Sequence, residues 1–290
     1  MRRRTIALVI SVLGFAASLL VVGEVLSYPA HRSMGQPPSE LHATSVEIQT
    51  AAGQPVSGWM VRGTPGAGVV LLLHGVRADR REMLGRTQFL RNLGYSVFLI
   101  DLPAHGESAG TYITYGVAEA QGVTAALNYL AHELPNEKIG VIGTSLGAAS
   151  LVLSKPTVPL SAVVLESMFP TIREAVSDRL NIYLGPFGEW LTPLLLWQLP
   201  LRLNITPDQL RPIAEIASLR APLLIAAGSI DRHTTLAETR QIYAAAHDPK
   251  ELWVIDGAAH VDLHAFDPPT YEKRVSAFLA KHLRSTNSSN

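Results

Sequence analysis

Hydrophobic and polar positions change character twice along this chain. From Thr5 to Gly23 no residue carries a charge, and Glu24 is the first acidic position after that run. Residues 45–50 and 56–61 then alternate imperfectly between apolar and polar. They predict two early antiparallel strands joined by a turn over Ala51 to Pro55. From Gly68 onward, continuous apolar runs replace the alternation. Gly68 to Leu73, Tyr95 to Ile100, Lys138 to Ile142, Leu160 to Leu165, Pro222 to Ala227 and Glu251 to Ile255 each read as a strand buried on both faces. Between them, residues 80–93, 115–133, 145–153, 236–246 and 270–283 carry helical patterns. Strands alternating with helices predict a mostly parallel sheet with helices on both faces, and such sheets place ligands at the carboxyl ends of their strands.

The first regime predicts a membrane-spanning helix. Nineteen uncharged residues at about 1.5 Å per residue cover most of a roughly 30 Å hydrocarbon layer. Contact with the membrane is expected through residues 5–26. Arg2, Arg3 and Arg4 favour retention of the N-terminus on the cytoplasmic side, which leaves the rest of the chain extracytoplasmic. A cleavable signal, and hence a secreted protein, is the alternative. Its cleavage sites are poor, because neither Val22-Gly23-Glu24 nor Tyr28-Pro29-Ala30 gives a small-x-small pattern. Residues 1–28 are therefore expected as an anchor or signal and 29–43, rich in proline and polar residues, as a linker. Residues 44–290 form the expected catalytic domain, with a cap insertion over about 171–218.

Composition narrows the chemistry. Of 290 residues, 47% are hydrophobic, enough for a substantial core. Lysine plus arginine equals aspartate plus glutamate at 24 each, so there is no broad basic field and no nucleic-acid partner is expected. The absence of cysteine excludes disulfides, thiolate metal sites and a cysteine nucleophile. Protein partners and oligomeric state are not legible.

The chemistry concentrates at strand ends. Gly143-Thr144-Ser145-Leu146-Gly147 follows an apolar strand and opens a small-residue helix. Gly143 and Gly147 permit a tight strand-to-helix turn, and the helix start offers unpaired N–H groups to negative charge. Ser145 is the expected nucleophile, with helix capping as its bland alternative. A serine hydroxyl needs an activating base. His260, on the loop after the last strand, is that candidate, and His264 is its substitute. Asp231, after strand 222–227, would hold the imidazole in the required tautomer. Glu166 is the second choice for the acid and Asp262 a weaker one. The order Ser145, Asp231, His260 is the one expected for a Gly-x-Ser-x-Gly nucleophile turn. The Leu146 amide and the Val76 amide, beyond the His74-Gly75 turn, would bind the oxyanion, with His74 and Gly75 shaping that loop.

Other polar groups read as structural. Asp101 to Ser108 organises a turn, while Arg77, Asp79, Arg80 and Arg81 form either an ionic entrance or a solvated loop. His260 and His264 with Asp262 lack the glutamate of a His-Glu-x-x-His site and a third ligand, so no metal is expected. No Gly-x-Gly-x-x-Gly motif is present.

With these motifs in place, residues 45–285 resemble the α/β-hydrolase superfamily. The nearest likeness is to membrane-associated or secreted serine hydrolases of the dienelactone-hydrolase-like and acylaminoacyl-peptidase-like group. The resemblance rests on His74-Gly75, Asp101 to Ser108, Gly143 to Gly147, Asp231-Arg232-His233-Thr234 and Gly257 to His260. It implies the α/β-hydrolase fold and hydrolysis of an ester, thioester or amide through an acyl-enzyme, without an organic cofactor. Many such proteins carry two glycines where this chain has Gly147-Ala148. Alanine is small enough to keep the helix close to the sheet. The insertion between the fourth and fifth buried strands, with Phe187, Trp190, Leu191, Leu194 to Trp197 and Leu199, predicts short helices broken at Gly185-Pro186 and Leu199-Pro200. They would line an acyl pocket, pack on the core or meet a membrane. A small-molecule ester or acyl compound is the expected substrate. A peptidase, a thioesterase and a noncatalytic tethered binding domain are the alternatives.

Overall fold

A computed structural model describes residues 2–284. Eight strands form one sheet: β1 (Thr44–Gln49), β2 (Pro55–Val61), β3 (Val69–Leu73), β4 (Ser96–Ile100), β5 (Ile139–Thr144), β6 (Leu160–Glu166), β7 (Leu223–Gly228) and β8 (Lys250–Ile255). Their order is β8-β7-β6-β5-β3-β4-β2-β1. β2 runs antiparallel to both β1 and β4, and the remaining pairs are parallel. Every residue of β3, β4 and β5 is buried, which is why those strands read as unbroken apolar runs.

Side chains alternate between two cores. Leu71, Leu73 and Val141 face one and Val70, Leu72 and Ile142 the other. The flanking helices are α2 (Leu84–Asn92), α3 (Val117–Glu133), α4 (Leu146–Leu153), α9 (Leu236–Ala245) and α11 (Pro268–Leu283), with a short α10 (Leu263–Phe266) before the last. The expected 80–93 helix begins instead with a 3-10 turn, Arg80–Met83. Asp79 caps this turn by accepting the Arg81 N–H, and the Asp101 carboxylate accepts both the Arg80 backbone N–H (2.7 Å) and Nε–H (3.0 Å). Arg80 is buried and ion-paired to Asp101 and Glu107, not part of a solvated loop.

The insertion between β6 and β7 is helical, as expected: α5 (Ile172–Leu184), α6 (Gly188–Leu196), α7 (Gln198–Leu203) and α8 (Pro212–Glu215), with 3-10 turns between. The Gly185-Pro186 break is present, whereas the second break falls at Trp197. Pro200 sits in the first turn of α7, where its missing N–H leaves no hydrogen bond unmade.

The apolar N-terminal run is a helix, α1 (Arg2–Ser27). The segment expected as a linker is tied to the domain. Ala30 and His31 pair in parallel with His105 and Gly106, and Met34 and Leu41 are buried.

Candidate active site

Parallel register lines up the strand ends that carry the chemistry. Leu73 pairs with Gly143, Thr144 with Glu166, and Glu166 with Ala226. β3 and β5 are neighbours although β4 lies between them in sequence, so the chain reverses its winding there and leaves a crevice at their carboxyl ends.

Ser145 occupies that crevice with φ 49° and ψ −107°, a conformation of the left-handed side that a non-glycine residue adopts only under constraint. Its N–H donates to the Glu166 carbonyl (2.8 Å), and its own carbonyl accepts from Ala149 (3.0 Å), fixing the turn from both sides. Both flanking glycines are steric requirements. A Cβ on Gly143 would lie 2.8 Å from the Ala148 nitrogen, and one on Gly147 would lie 2.4 Å from the Leu73 carbonyl oxygen. Ala148 is fully buried in its place.

Asp231 and His260, far apart in sequence, are in contact. Asp231 Oδ2 lies 2.8 Å from His260 Nδ1 and also accepts the Thr234 hydroxyl at 2.9 Å. Oδ1 accepts the backbone N–H groups of His233 (2.8 Å) and Thr234 (3.0 Å). Burial works to raise the Asp231 pKa, but the hydrogen bonds and positive charge from His260, with the two amides, outweigh it and hold the carboxyl below its usual range. An ionised Asp231 fixes Nδ1 as the protonated nitrogen and leaves Nε2 as the basic one. Ser145 Oγ makes no hydrogen bond to the ring among the described residues; such contacts commonly tighten only around substrate.

The loop after β3 supplies the remaining donors. Glu82 accepts the Gly75 N–H (2.8 Å), while buried His74 donates from Nδ1 to the Gly75 carbonyl (2.7 Å) and accepts the Leu102 N–H at Nε2 (3.0 Å). Burial and the neighbouring His105 push the His74 pKa down to about 3, so it stays neutral and holds the loop. The N–H groups of Val76 and Leu146 have no acceptor among the described residues. Both residues line one cavity of about 150 Å³ together with Ser145. A larger hollow of about 600 Å³ lies over β1 and α3 without any of these groups, open and polar at Glu47, Gln49 and Gln121.

The alternative residues have other partners. Glu166 is fully buried, paired with Arg86 (2.6 Å) and accepting from Thr144 (3.1 Å) and the Tyr271 hydroxyl. Asp262 caps α10 and pairs with Arg86 (2.7 Å). His264 contacts Glu272 (3.1 Å) and stacks on Phe89. No cluster able to hold a metal occurs among the described residues.

Sequence reasoning missed four contributors: Tyr115 and Arg179 in the cavity wall, Leu26 from α1, and His233, whose ring lies 5.1 Å from that of His260. His233 was visible in the acid loop. The cap insertion was expected to line an acyl pocket, but nothing in the sequence singles out these side chains or brings α1 to the serine.

Comparison with known proteins identifies the family and the fold. The profile of the alpha/beta hydrolase family matches residues 70–272. Uncharacterized protein YqkD of Bacillus subtilis is 24% identical over 83% of this chain and 80% of its own length. An uncharacterized protein of Mycobacterium tuberculosis is 29% identical over 81% of this chain and 79% of its own. Among solved structures, the Pyrococcus furiosus esterase Pf2001 superposes with a TM-score of 0.74 at 26% identity, covering 89% of this chain and 98% of that one. A thermophilic esterase from Thermogutta terrifontis shares the fold at TM-score 0.60 and 19% identity, covering 82% of this chain and 99% of its own. The chain belongs to the alpha/beta hydrolase family and is a serine-type hydrolase.

Proposed function

We propose that the protein hydrolyses carboxylic esters through an acyl-enzyme on Ser145, with His260 as base and Asp231 as its orienting acid. The observation that carries this reading is the 2.8 Å contact between His260 and Asp231, at the same sheet edge as a serine held at φ 49°. His260 Nε2 takes the Ser145 proton as Oγ bonds to the acyl carbon. The carbonyl oxygen, now negative, is met by the free N–H groups of Val76 and Leu146. The proton then passes from His260 to the alcohol oxygen as the ester C–O bond breaks. Water, deprotonated by the same histidine, attacks the acyl-enzyme and releases the acid.

An ester is favoured over a peptide because the cavity wall is mostly apolar, with Leu26, Val76, Phe169, Ile172 and Val176. Each methylene buried there contributes about 0.8 kcal/mol. Pf2001 is named an esterase, which supports the same substrate class. The resemblance to the dienelactone-hydrolase-like and acylaminoacyl-peptidase-like group belongs to this reading through His74-Gly75 and the Asp231 to Thr234 loop. A fluorophosphonate should label wild type stoichiometrically and leave Ser145→Ala unlabelled. Labelling that persists in folded Ser145→Ala would remove the serine from this role.

A further inference from the structure

Two observations join the N-terminal helix to the active site. Leu26, in its last turn, lines the serine cavity, and Leu26, Tyr115, Ile172 and Val176 also line an adjoining cavity of about 40 Å³ between α1 and the cap. Beyond it, the docked stripe of α1 is Leu19, Gly23 and Ser27, at the four-residue spacing of one helix face. Gln198 Nε2 donates to the Leu19 carbonyl (2.9 Å), and Arg202 donates to the Ser27 hydroxyl (2.9 Å) and pairs with Glu24. Gly23 eases this approach: a Cβ there would lie 2.3 Å from Gln198 Oε1 and 2.8 Å from Arg202 Nη1, so both side chains would have to shift. Arg77, next to the Val76 amide, donates to the Val25 (3.3 Å) and Tyr28 (3.2 Å) carbonyls at the end of α1.

The outer face of the same cap is apolar. Trp190, Leu194, Trp197 and Leu201, at helical spacing along α6 and α7, are 82%, 42%, 68% and 67% exposed. A surface helix of a soluble domain carries polar residues there. The apolar window of α1 is likewise not buried against the protein. Gln198 meets α1 at Leu19, about 6 Å short of Gly23 along the axis, so the cap lies beside the apolar part of α1 and not beyond it. A bilayer that receives α1 therefore comes up against the cap, and exposed tryptophans are side chains that anchor at such an interface.

We propose that α1 remains in the mature protein as a wall of the acyl channel, and that the substrates are long-chain carboxylic esters drawn from a phospholipid bilayer through the gap between α1 and the cap. Hydrolysis with one water breaks the acyl C–O bond and releases a fatty acid and the alcohol that had carried it. The proposal rests on the acyl-enzyme reading above.

The test uses the full chain in phosphatidylcholine vesicles, with a soluble butyrate ester and a vesicle-borne long-chain monoacylglycerol as substrates. Gly23→Leu should undock α1, and Trp190→Glu with Trp197→Glu should lift the cap. Both should keep fluorophosphonate labelling and butyrate hydrolysis while losing about tenfold or more on the vesicle substrate. In wild type, kcat/KM should rise by about fourfold per added methylene over the short esters. Mass spectrometry of the protein isolated from cells should find α1 attached. Long-chain activity unchanged in both variants, or a mature N-terminus beyond Leu26, overturns the proposal. Failure of wild type to be labelled or to cleave butyrate would instead sink the acyl-enzyme reading.

Discussion

The sheet edge and the cap solve opposite problems. At the edge, buried charged groups find partners: Asp231 accepts from four groups, and Arg86 is paired with Glu166 and Asp262. On the outer face of the cap, large apolar side chains find none, and Trp190 and Phe187 are exposed. Satisfied buried polar groups rigidify a site before substrate arrives, whereas uncovered apolar surface marks a region whose partner is elsewhere. The Asp231–His260 pair is thus fixed in place, whereas the outer face of the cap is left uncovered.

Substitutions at the edge should have the largest effects. Ser145→Ala is expected to lower ester turnover by about 10⁶-fold with folding intact, measured by kcat beside circular dichroism. Loss of only a few-fold would mean that another group attacks. Asp231→Asn should reduce kcat on the order of 10⁴-fold, because the amide no longer holds the required tautomer. Were Glu166→Gln to do this instead, the acid would be misassigned. Glu166→Ala should act on stability, costing about 3–5 kcal/mol in denaturant unfolding by leaving Arg86 buried without its main counter-charge.

Acid should also expose the edge. His74 in the folded protein titrates near 3, below its ordinary value of 6.5, so the unfolded chain takes the proton first as pH falls. Its contribution is complete above about pH 6.5 and declines by about 1.4 kcal/mol per unit toward pH 3. The melting temperature of His74→Gln should fall less steeply than that of wild type across this window. The smallest effect belongs to the cap. Trp190→Ala should change unfolding free energy by less than about 0.5 kcal/mol, since its side chain is 82% exposed. A cost above about 1 kcal/mol would mean that the chain itself covers this face and would erase the contrast between the two regions.

The strands were legible because burial on both faces writes itself as an unbroken apolar run, as in Val69–Leu73. Ser145 was legible because its turn demands glycine on both sides. The solvated-loop reading of Arg80 failed for a physical reason: an arginine is buried only beside a buried carboxylate, and Asp101 sits in the loop after β4, remote in sequence. The second cap break at Trp197 was missed because Pro200 is compatible with a helix's first turn. The segment 29–43 looked detached because two paired residues and two buried side chains leave no periodic pattern.

Sequence alone determined the local patterns of this protein: the Gly-x-Ser-x-Gly turn, the order of Ser145, Asp231 and His260 along the chain, and an apolar helix at the start. These follow from short-range geometry, in which a glycine, a strand end or a run of uncharged residues has one dominant physical meaning. Tertiary structure decided which carboxylate faces His260, which is locked against Arg86, and that Leu26 of the first helix reaches the wall of the serine cavity. Such pairings depend on sheet order and register, which bring together groups that no local pattern relates.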